Sequence, residues 1–232
     1  MKTQVVLALC LGLDAMLVAY GQAPSSAEKL AERAAPEDQP AGLIAFSSVG
    51  PRGWDVDVVD TETRKSRRLT DHQALDYNAT ISPDGKTIAF VSERDGNMEL
   101  YAVGADGSGL KRLTDDFALD DHPAWSPDGK HLAFVSTRRP AEMAGSAWNA
   151  VHVMSADGSA VRCLTPPKVA DYSPAWSPVG DLHAVASGSG RAGGTDLYVM
   201  KPDGTDRQLV VKDGGWPAFG ADGKTLFFHR RR

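Results

Sequence analysis

The sequence has few cysteines and no excess of basic residues. Its 232 residues include only two cysteines, Cys10 and Cys163, so neither a disulfide framework nor a cysteine-rich zinc site can form. The 25 lysine and arginine residues against 30 aspartate and glutamate residues give a formal net charge of −5. A nucleic-acid-binding protein normally carries a basic face, and we therefore expect no nucleic-acid partner.

Catalytic and metal-binding motifs are also missing from the sequence. It contains no Gly-x-Ser-x-Gly segment, the nucleophile turn of many serine hydrolases. The six histidines lack the His-Glu-x-x-His spacing of zinc enzymes, and Asp120-Asp121 lacks the spacing of a calcium loop. Gly85-Lys-Thr87 resembles the end of a phosphate-binding loop, but the glycine required five residues upstream is Thr80. We predict no enzymatic activity, no cofactor and no metal, and leave weak calcium binding open.

The only long apolar stretch lies at the N-terminus. It is about 15 residues long and interrupted by Asp14, whereas a membrane-spanning helix needs about 20. A positively charged start and small residues at Ala19 and Gly21 complete the pattern of a signal peptide. We predict a signal peptide at 1–21, no stable membrane span, and a secreted, periplasmic or endomembrane-lumen location. The alternative is a buried or interfacial helix of the mature protein.

The segment after the predicted signal peptide differs in composition from the rest. Residues 22–40 are rich in alanine, glutamate, proline and glutamine, which is typical of a linker. Asn78-Ala79-Thr80 is a glycosylation sequon, and its use stays open because it opens a predicted strand. We place the folded domain at 41–232.

An internal repeat is the strongest signal in the sequence. One turn recurs at steps of 44, 51 and 43 residues, as Ile81-Ser-Pro-Asp-Gly85, Trp125-Ser-Pro-Asp-Gly129, Trp176-Ser-Pro-Val-Gly180 and Phe219-Gly-Ala-Asp-Gly223. Two other markers keep the same order, an Asp-Gly turn (Ala105–Ser108, Ala156–Ser159, Pro202–Thr205) and a Leu-Thr pair (Leu69-Thr70, Leu113-Thr114, Leu164-Thr165). Three markers with one period indicate one structural unit repeated along the chain.

The chemistry of the markers predicts hairpins. Proline presets φ for a turn, aspartate bonds to nearby backbone groups, and glycine supplies the positive φ that closes the turn. Short apolar runs of strand length, such as Lys86–Ser92 and Glu99–Val103, lie between the turns, without a helical period. Four strands in about 40 to 45 residues is typical of a β-propeller blade. The predicted fold is therefore all-β, a β-propeller of four-stranded blades.

The propeller is predicted to be incomplete. Whole blades are expected at 69–112, 113–163 and 164–208, with a partial blade of three strands at 41–68 and one of two strands at 209–232. The two terminal pieces could combine into one five-stranded blade that closes a small ring. That blade would contain the second strand twice, so we favour an open arc, a portion of a larger propeller, whose edge strands could pair with another chain.

The repeat motif resembles that of a known family. Trp-Ser-Pro-Asp-Gly-Lys-x-Leu-Ala-Phe-x-Ser, Leu-Tyr-Val-Met-x-x-Asp-Gly and Leu-Thr are similar to the WD-like repeats of TolB-type propellers (PD40-type). They are also similar to the N-terminal propellers of dipeptidyl-peptidase and prolyl-oligopeptidase-like proteins. The TolB resemblance implies six blades and protein–protein interaction in the bacterial periplasm. The peptidase resemblance implies seven or eight blades that gate access to a catalytic domain.

Polar residues recur at one predicted face of the propeller. Candidate partner-binding residues lie just ahead of the first strand of each whole blade (Asp76, Tyr77, Asp120, Asp121, His122, Asp171, Tyr172), after its second strand (Arg94, Arg138) and in the longest loop (Trp148). Loops on a rigid scaffold commonly carry recognition. For any single residue we favour a structural role, in which Asp–Arg pairs tie loops together.

The sequence analysis leads to one function and two alternatives. We predict a non-enzymatic exported β-propeller that acts as a protein- or peptide-binding scaffold. The first alternative is the propeller fragment of a prolyl-oligopeptidase or dipeptidyl-peptidase-like hydrolase, without its catalytic domain. The second is a glycan-binding surface at the same face.

Overall fold

The computed structural model describes residues 42–138, 149–165, 170–188 and 194–230. These residues form 17 strands in five antiparallel sheets. The first sheet contains β1 (Leu43–Gly50), β2 (Gly53–Asp60) and β3 (Ser66–Arg68). The second contains β4 (Asp76–Ile81), β5 (Thr87–Ser92), β6 (Glu99–Gly104) and β7 (Lys111–Arg112). The third contains β8 (Asp120–Trp125), β9 (His131–Ser136), β10 (Ala150–Ser155) and β11 (Arg162–Cys163). The fourth contains β12 (Asp171–Trp176), β13 (His183–Gly188), β14 (Thr195–Met200) and β15 (Gln208–Val211). The fifth contains β16 (Gly215–Phe219) and β17 (Leu226–His229).

This architecture confirms the prediction of an all-β, incomplete propeller. Three sheets have four strands, and sheets of three and two strands stand at the two ends of the described chain. The terminal strands form separate sheets instead of one composite blade. The fourth sheet ends at Val211, so its last strand crosses residue 208, where we expected that blade to end. No helix in the described part of the chain is long and apolar enough to cross a membrane.

The predicted turns fold as their chemistry dictates. Gly85 has a φ of 73°, and its counterpart Gly129 has a φ of 69°. The Oδ1 atom of Asp84 accepts hydrogen bonds from the Ser82 hydroxyl at 2.6 Å and the Lys86 amide at 3.1 Å. These bonds favour the ionised carboxylate and hold the pKa of Asp84 below its usual range. The turn therefore locks the hairpin between the first two strands of the blade.

The Leu-Thr marker also has a structural cause. In three successive sheets the buried threonine hydroxyl oxygen accepts a hydrogen bond from a backbone amide of the last strand but one (β2, β6 or β10), 14 residues earlier. The pairs are Thr70 with Val56, Thr114 with Leu100 and Thr165 with Val151, at 2.9 to 3.0 Å. In these three sheets the marker therefore fastens the residues after the last strand to the strand before it.

The hydrophobic core lies between neighbouring sheets. Ile88 and Phe90 pack against Val56 of the first sheet, and residues on the opposite side of the second sheet pack against Phe134 of the third. The Nε1 atom of Trp176 donates a hydrogen bond at 3.0 Å to the carbonyl oxygen of Ala124, in the preceding sheet. The recurring aromatic position at the end of the first strand thus packs between sheets.

Replacing Gly158 by alanine is expected to destabilise the fold by about 1–3 kcal/mol. Gly158 has a φ of 89°, and a Cβ there would lie 2.6 Å from the carbonyl oxygen of Leu113. The substitution combines left-handed backbone strain with a clash against the main chain. Gly109→Ala is the matched control, since Gly109 has a φ of 67° but no atom within 4 Å of its Cβ position. Chemical denaturation of both variants should give the larger loss for Gly158, and equal losses would contradict the clash.

Candidate functional site at the channel mouth

The first strand of four sheets carries the same β-bulge. Pairing with the second strand shifts between Tyr77 and Thr80 in β4, and at the equivalent places in β8, β12 and β16. The residue inside each shift has a positive φ, between 48° and 54°: Asn78, His122, Ser173 and Trp216. A bulge bends a strand and re-aims its side chains. The four bulges line up because the sheets repeat.

Side chains at the bulges contact side chains of other sheets. Asn78 of the second sheet donates a hydrogen bond from Nδ2 to Oδ1 of Asp121 in the third, at 2.7 Å. The ring of His122 in the third sheet lies 5.4 Å, centroid to centroid, from the ring of Trp216 in the fifth. Three sheets therefore converge at this point, which we call the channel mouth, defined by Tyr77, Asn78, Asp121, His122 and Trp216.

Asp121 contacts two other residues of the channel mouth, Asn78 and His122. Its carboxylate also accepts the His122 amide at 2.6 Å and lies 2.9 Å from Nδ1 of the His122 ring. Burial raises the pKa of Asp121, but the hydrogen bonds from His122 and Asn78 outweigh this and lower the pKa overall. Asp121 is therefore ionised at neutral pH and fixes both neighbouring side chains.

Tyr77 occupies the position before the bulge in the second sheet. Its hydroxyl donates a hydrogen bond at 3.0 Å to Oε1 of Glu93. Burial, together with the charges of Asp121 and Glu93, raises the pKa of Tyr77 well above its usual value. Tyr77 therefore stays protonated and acts as a donor. Tyr172 holds the equivalent position in the fourth sheet and is half-buried.

Three of the predicted residues lie inside the sheets. Asp76, Asp120 and Asp171 are fully buried. The sequence analysis placed them just ahead of the first strands, whereas in the structure they are the first residues of those strands. The Arg94 guanidinium lies 3.0 Å from Asp76, and that of Arg138 lies 2.7 Å from Asp120. Each pair links the start of the first strand to the loop that follows the second strand, and the aspartates of these pairs are buried.

In the fourth sheet the buried aspartate pairs with an arginine at a different position of the repeat. Arg207 donates two hydrogen bonds to the carboxylate of Asp171, at 2.7 and 2.8 Å. Its guanidinium also lies 4.4 Å from the centre of the Tyr198 ring. Arg207 precedes the fourth strand instead of following the second, so the repeat alignment did not indicate it.

Trp148, the predicted partner-binding residue of the longest loop, lies outside the described residues.

Sequence reasoning also missed an exposed aromatic residue in the loop that precedes β8, the strand that carries Asp121 and His122. Phe117 is 106% exposed in the loop that leads into β8, and Leu119 in the same loop is 45% exposed. The Asn97 amide holds this loop by hydrogen bonds to the carbonyl oxygens of Asp116 and Ala118, at 2.9 and 3.0 Å. Phe117 is therefore an apolar side chain presented by a fastened loop, a typical binding anchor.

The acidic residues of the described ranges do not gather as metal ligands. No group of three or more histidine, cysteine, aspartate or glutamate side chains with the geometry to hold a metal occurs between residues 42 and 230, the undescribed gaps aside. The channel mouth presents Asp121 as a fixed anion, the hydroxyl oxygen of Tyr77 as a hydrogen-bond acceptor and Trp216 as an apolar surface.

Comparison with known proteins identifies the architecture. Residues 44–142 match the family PD40, described as TolB beta propeller domain. The fold is that of a TolB-like β-propeller. TolB of Agrobacterium tumefaciens superposes with a TM-score of 0.67 at 20% identity, over 84% of this chain and 77% of that one. TolB of Acinetobacter baumannii superposes with a TM-score of 0.67 at 19% identity, over 82% of this chain.

Peptidases share the same fold. A puromycin-hydrolyzing peptidase of Mycobacterium tuberculosis superposes with a TM-score of 0.52 at 21% identity, over 74% of this chain and 30% of that one. The TolB-like chain spans 47% of the length of the Acinetobacter protein. Both resemblances noted in the sequence are thus confirmed, and at this identity they concern the fold.

Proposed function

We propose that this TolB-like chain is a non-enzymatic, exported scaffold that binds a protein or peptide at the channel mouth. The observation that carries the proposal is the convergence of three sheets through the Asn78–Asp121 hydrogen bond and the His122–Trp216 contact. Side chains that are fixed in this way lose little conformational entropy when a partner binds.

The exposed groups at this face suit a polypeptide. Trp216 is 47% exposed, and Phe117 projects from the neighbouring loop. Aromatic anchors surrounded by polar side chains are characteristic of protein interfaces. Asp121 adds a fixed charge and the Tyr77 hydroxyl oxygen adds a hydrogen-bond acceptor, and both orient the bound chain. The similarity to TolB supports the same class of function and the export of the chain.

Site-specific photocrosslinking tests this proposal. The photoreactive analogue p-benzoylphenylalanine at position 117 is expected to form a covalent adduct with one defined polypeptide in the producing cells. The matched control is the same analogue at Leu110, which is 47% exposed on the turn between β6 and β7. In a propeller that turn lies on the opposite face. Identical adducts from both positions, or none from position 117, would contradict the proposal.

Affinity and location complete the test. Phe117→Ala is expected to weaken binding of the crosslinked partner at least tenfold, whereas Leu110→Ala leaves the affinity unchanged. N-terminal sequencing of the chain from the cell envelope is expected to begin at Gln22, which follows the predicted signal peptide.

The similarity to the puromycin-hydrolyzing peptidase favours a second candidate, a propeller that gates a hydrolase domain. Coding sequence downstream of this chain with a Ser/Asp/His arrangement would favour this second candidate, and a fluorophosphonate probe tests whether this chain itself has hydrolase activity. The scaffold proposal expects no covalent labelling of this chain, and labelling that is lost after denaturation would overturn it.

A further inference from the structure

An open cleft lies between the third and fourth sheets, on the side of the tight turns that a propeller places opposite its channel mouth. Its volume is about 490 Å³, and apolar side chains make up most of its lining. The lining includes Val153 and Arg162 of the third sheet, and Trp176, Val179 and Pro202 of the fourth sheet and its turns. A pocket of this size and composition suits a small organic molecule.

Two residues of the cleft depart from the repeat. The strand registers make Arg162 the counterpart of Lys111 in the second sheet. In the turn after the first strand, Val179 takes the place of Asp84 and Asp128, and its side chain is 63% exposed. The fourth sheet thus places an apolar side chain at the cleft where the two preceding sheets have a carboxylate.

The guanidinium of Arg162 is available to a ligand. At the equivalent position, the ammonium group of Lys111 donates a hydrogen bond at 2.7 Å to the carbonyl oxygen of Asp157, in the next sheet. The corresponding bond from Arg162 to the carbonyl oxygen of Pro202 is 3.5 Å long, so it is weak. Arg162 is exposed, and no carboxylate of the described residues forms an ion pair with it.

Trp176 gives the cleft an aromatic wall. Its indole nitrogen is already engaged by the bond to the Ala124 carbonyl oxygen, so the ring contributes an apolar surface. On the second strand, the fully buried ring of His183 lies 3.7 Å from the Trp176 ring, centroid to centroid. The indole is held by both contacts, and a ligand ring that packs on it therefore orders little further.

Asp128 is the single acidic residue among those that line the cleft. Its Oδ1 atom accepts hydrogen bonds from the Ser126 hydroxyl at 2.6 Å and from the Lys130 amide at 3.0 Å. The charge of Asp128 is thus bound within its own turn, and Arg162 remains as the permanent charge that can meet a ligand. One cation in an apolar lining matches a ligand with one negative charge and an apolar body.

We propose that this cleft binds a small aromatic carboxylic acid in its ionised form. The carboxylate pairs with Arg162, whose planar guanidinium matches a carboxylate with two parallel hydrogen bonds. The aromatic ring packs on Trp176 and is bordered by Val179 and Pro202. This site is separate from the channel mouth, and binding there does not depend on the scaffold function proposed above.

Ligand-observed NMR titration of the full 232-residue chain with 3-phenylpropionate tests the proposal. Saturable binding is expected. The neutral 3-phenylpropanamide has the same shape without the charge, and it is expected to bind at least tenfold more weakly. Acetate, which has the charge without the ring, is expected to show no binding at the same concentrations. No saturable binding of 3-phenylpropionate, or equal binding of either comparison compound, would overturn the proposal.

A pair of charge-removing variants tests the role of Arg162. Arg162→Gln is expected to weaken binding of 3-phenylpropionate at least tenfold, since the carboxylate loses its counter-charge. Lys111→Gln is the matched control, because it removes the charge at the same repeat position one sheet earlier, and it is expected to leave the affinity unchanged. Equal losses from both variants would mean non-specific attraction of the anion and would overturn the proposal.

Restoring the repeat residue at position 179 provides a test that the fold tolerates. Val179→Asp is expected to weaken binding at least fivefold by placing a negative charge at the cleft. Its thermal midpoint should be unchanged or higher, because the Ser177 hydroxyl gains the acceptor that Asp128 offers to Ser126.

The apolar variant Val179→Leu is the control for the change of charge at this position, and it is expected to bind 3-phenylpropionate as wild type does. Equal affinities of the aspartate and leucine variants would overturn the proposal. Phe117→Ala is expected to leave this affinity unchanged, so failure here is distinguishable from failure of the channel-mouth proposal.

Discussion

Asp171→Ala is expected to lower the free energy of unfolding by about 3–5 kcal/mol, the usual cost of breaking a buried ion pair by removing one partner. The carboxylate of Asp171 is fully buried and bound at 2.7 and 2.8 Å by both terminal nitrogens of Arg207. Its removal leaves a largely buried guanidinium without a counter-charge. Urea denaturation followed by tryptophan fluorescence measures the loss.

An exposed pair of the same sheet provides the control for Asp171. Asp206 lies 3.5 Å from the ammonium group of Lys201, with both side chains more than half exposed, and Asp206→Ala should cost less than about 1 kcal/mol. Adding Arg207→Ala to Asp171→Ala should recover part of the loss, because no unpaired charge remains. A loss below about 1 kcal/mol for Asp171→Ala would mean that water reaches Arg207 and that the pair contributes little.

His183→Leu is expected to stabilise the fold at neutral pH by about 1–3 kcal/mol. His183 is fully buried, and among the described residues neither of its ring nitrogens has a hydrogen-bond partner. Its position corresponds to Leu132 and Ile88 in the two preceding sheets, so leucine matches the apolar surroundings. Thermal or chemical denaturation at pH 7 measures the gain.

The same residue should make stability depend on pH. Burial, with a smaller contribution from the charge of Arg162, lowers the pKa of His183 to about 4. Above pH 6.5 the ring is neutral in both states. Between about pH 6.5 and 4 only the unfolded chain binds the proton. The free energy of unfolding therefore decreases as the pH is lowered from 6.5 to 4, by up to about 3 kcal/mol.

The comparison with His183→Leu isolates this effect from other groups. Burial raises the pKa of Asp120 to about 6, which favours the folded state as the pH falls from 6 to 4 and so acts in the opposite direction. Asp120 is present in both proteins and cancels in the difference. Parallel profiles for wild type and His183→Leu would show that His183 is protonated in the folded state.

The repeat made most of the fold predictable because turn chemistry is local. Proline, aspartate and glycine at fixed spacing determine a hairpin without reference to distant residues, and the strand lengths follow from the turns. Turn spacing alone also indicated that the chain contains three complete units between two shorter pieces.

The candidate site was less predictable because it depends on contacts between units. The alignment placed Asp121 and His122 on one face of the propeller, but it could not separate them from Asp120, one residue away and fully buried. The β-bulge determines which of these side chains points inward. The bulge could have been predicted from the proline inside three of the first strands, since proline within a sheet marks an edge or a bulge. These prolines are Pro123, Pro174 and Pro217.

The order of the inter-sheet contacts has a consequence for cooperativity. β4 contacts β1 and β8, and β12 contacts β8 and β16, so the hydrophobic interfaces follow one another in a line. In such a line the total stability approximates a sum of local interfaces, as in solenoid proteins. Among the described residues, the second, third and fourth sheets have a neighbour on both sides. We expect opening fluctuations in this part of the chain to begin in the fifth sheet, which has only two strands, and to spread towards the middle sheets.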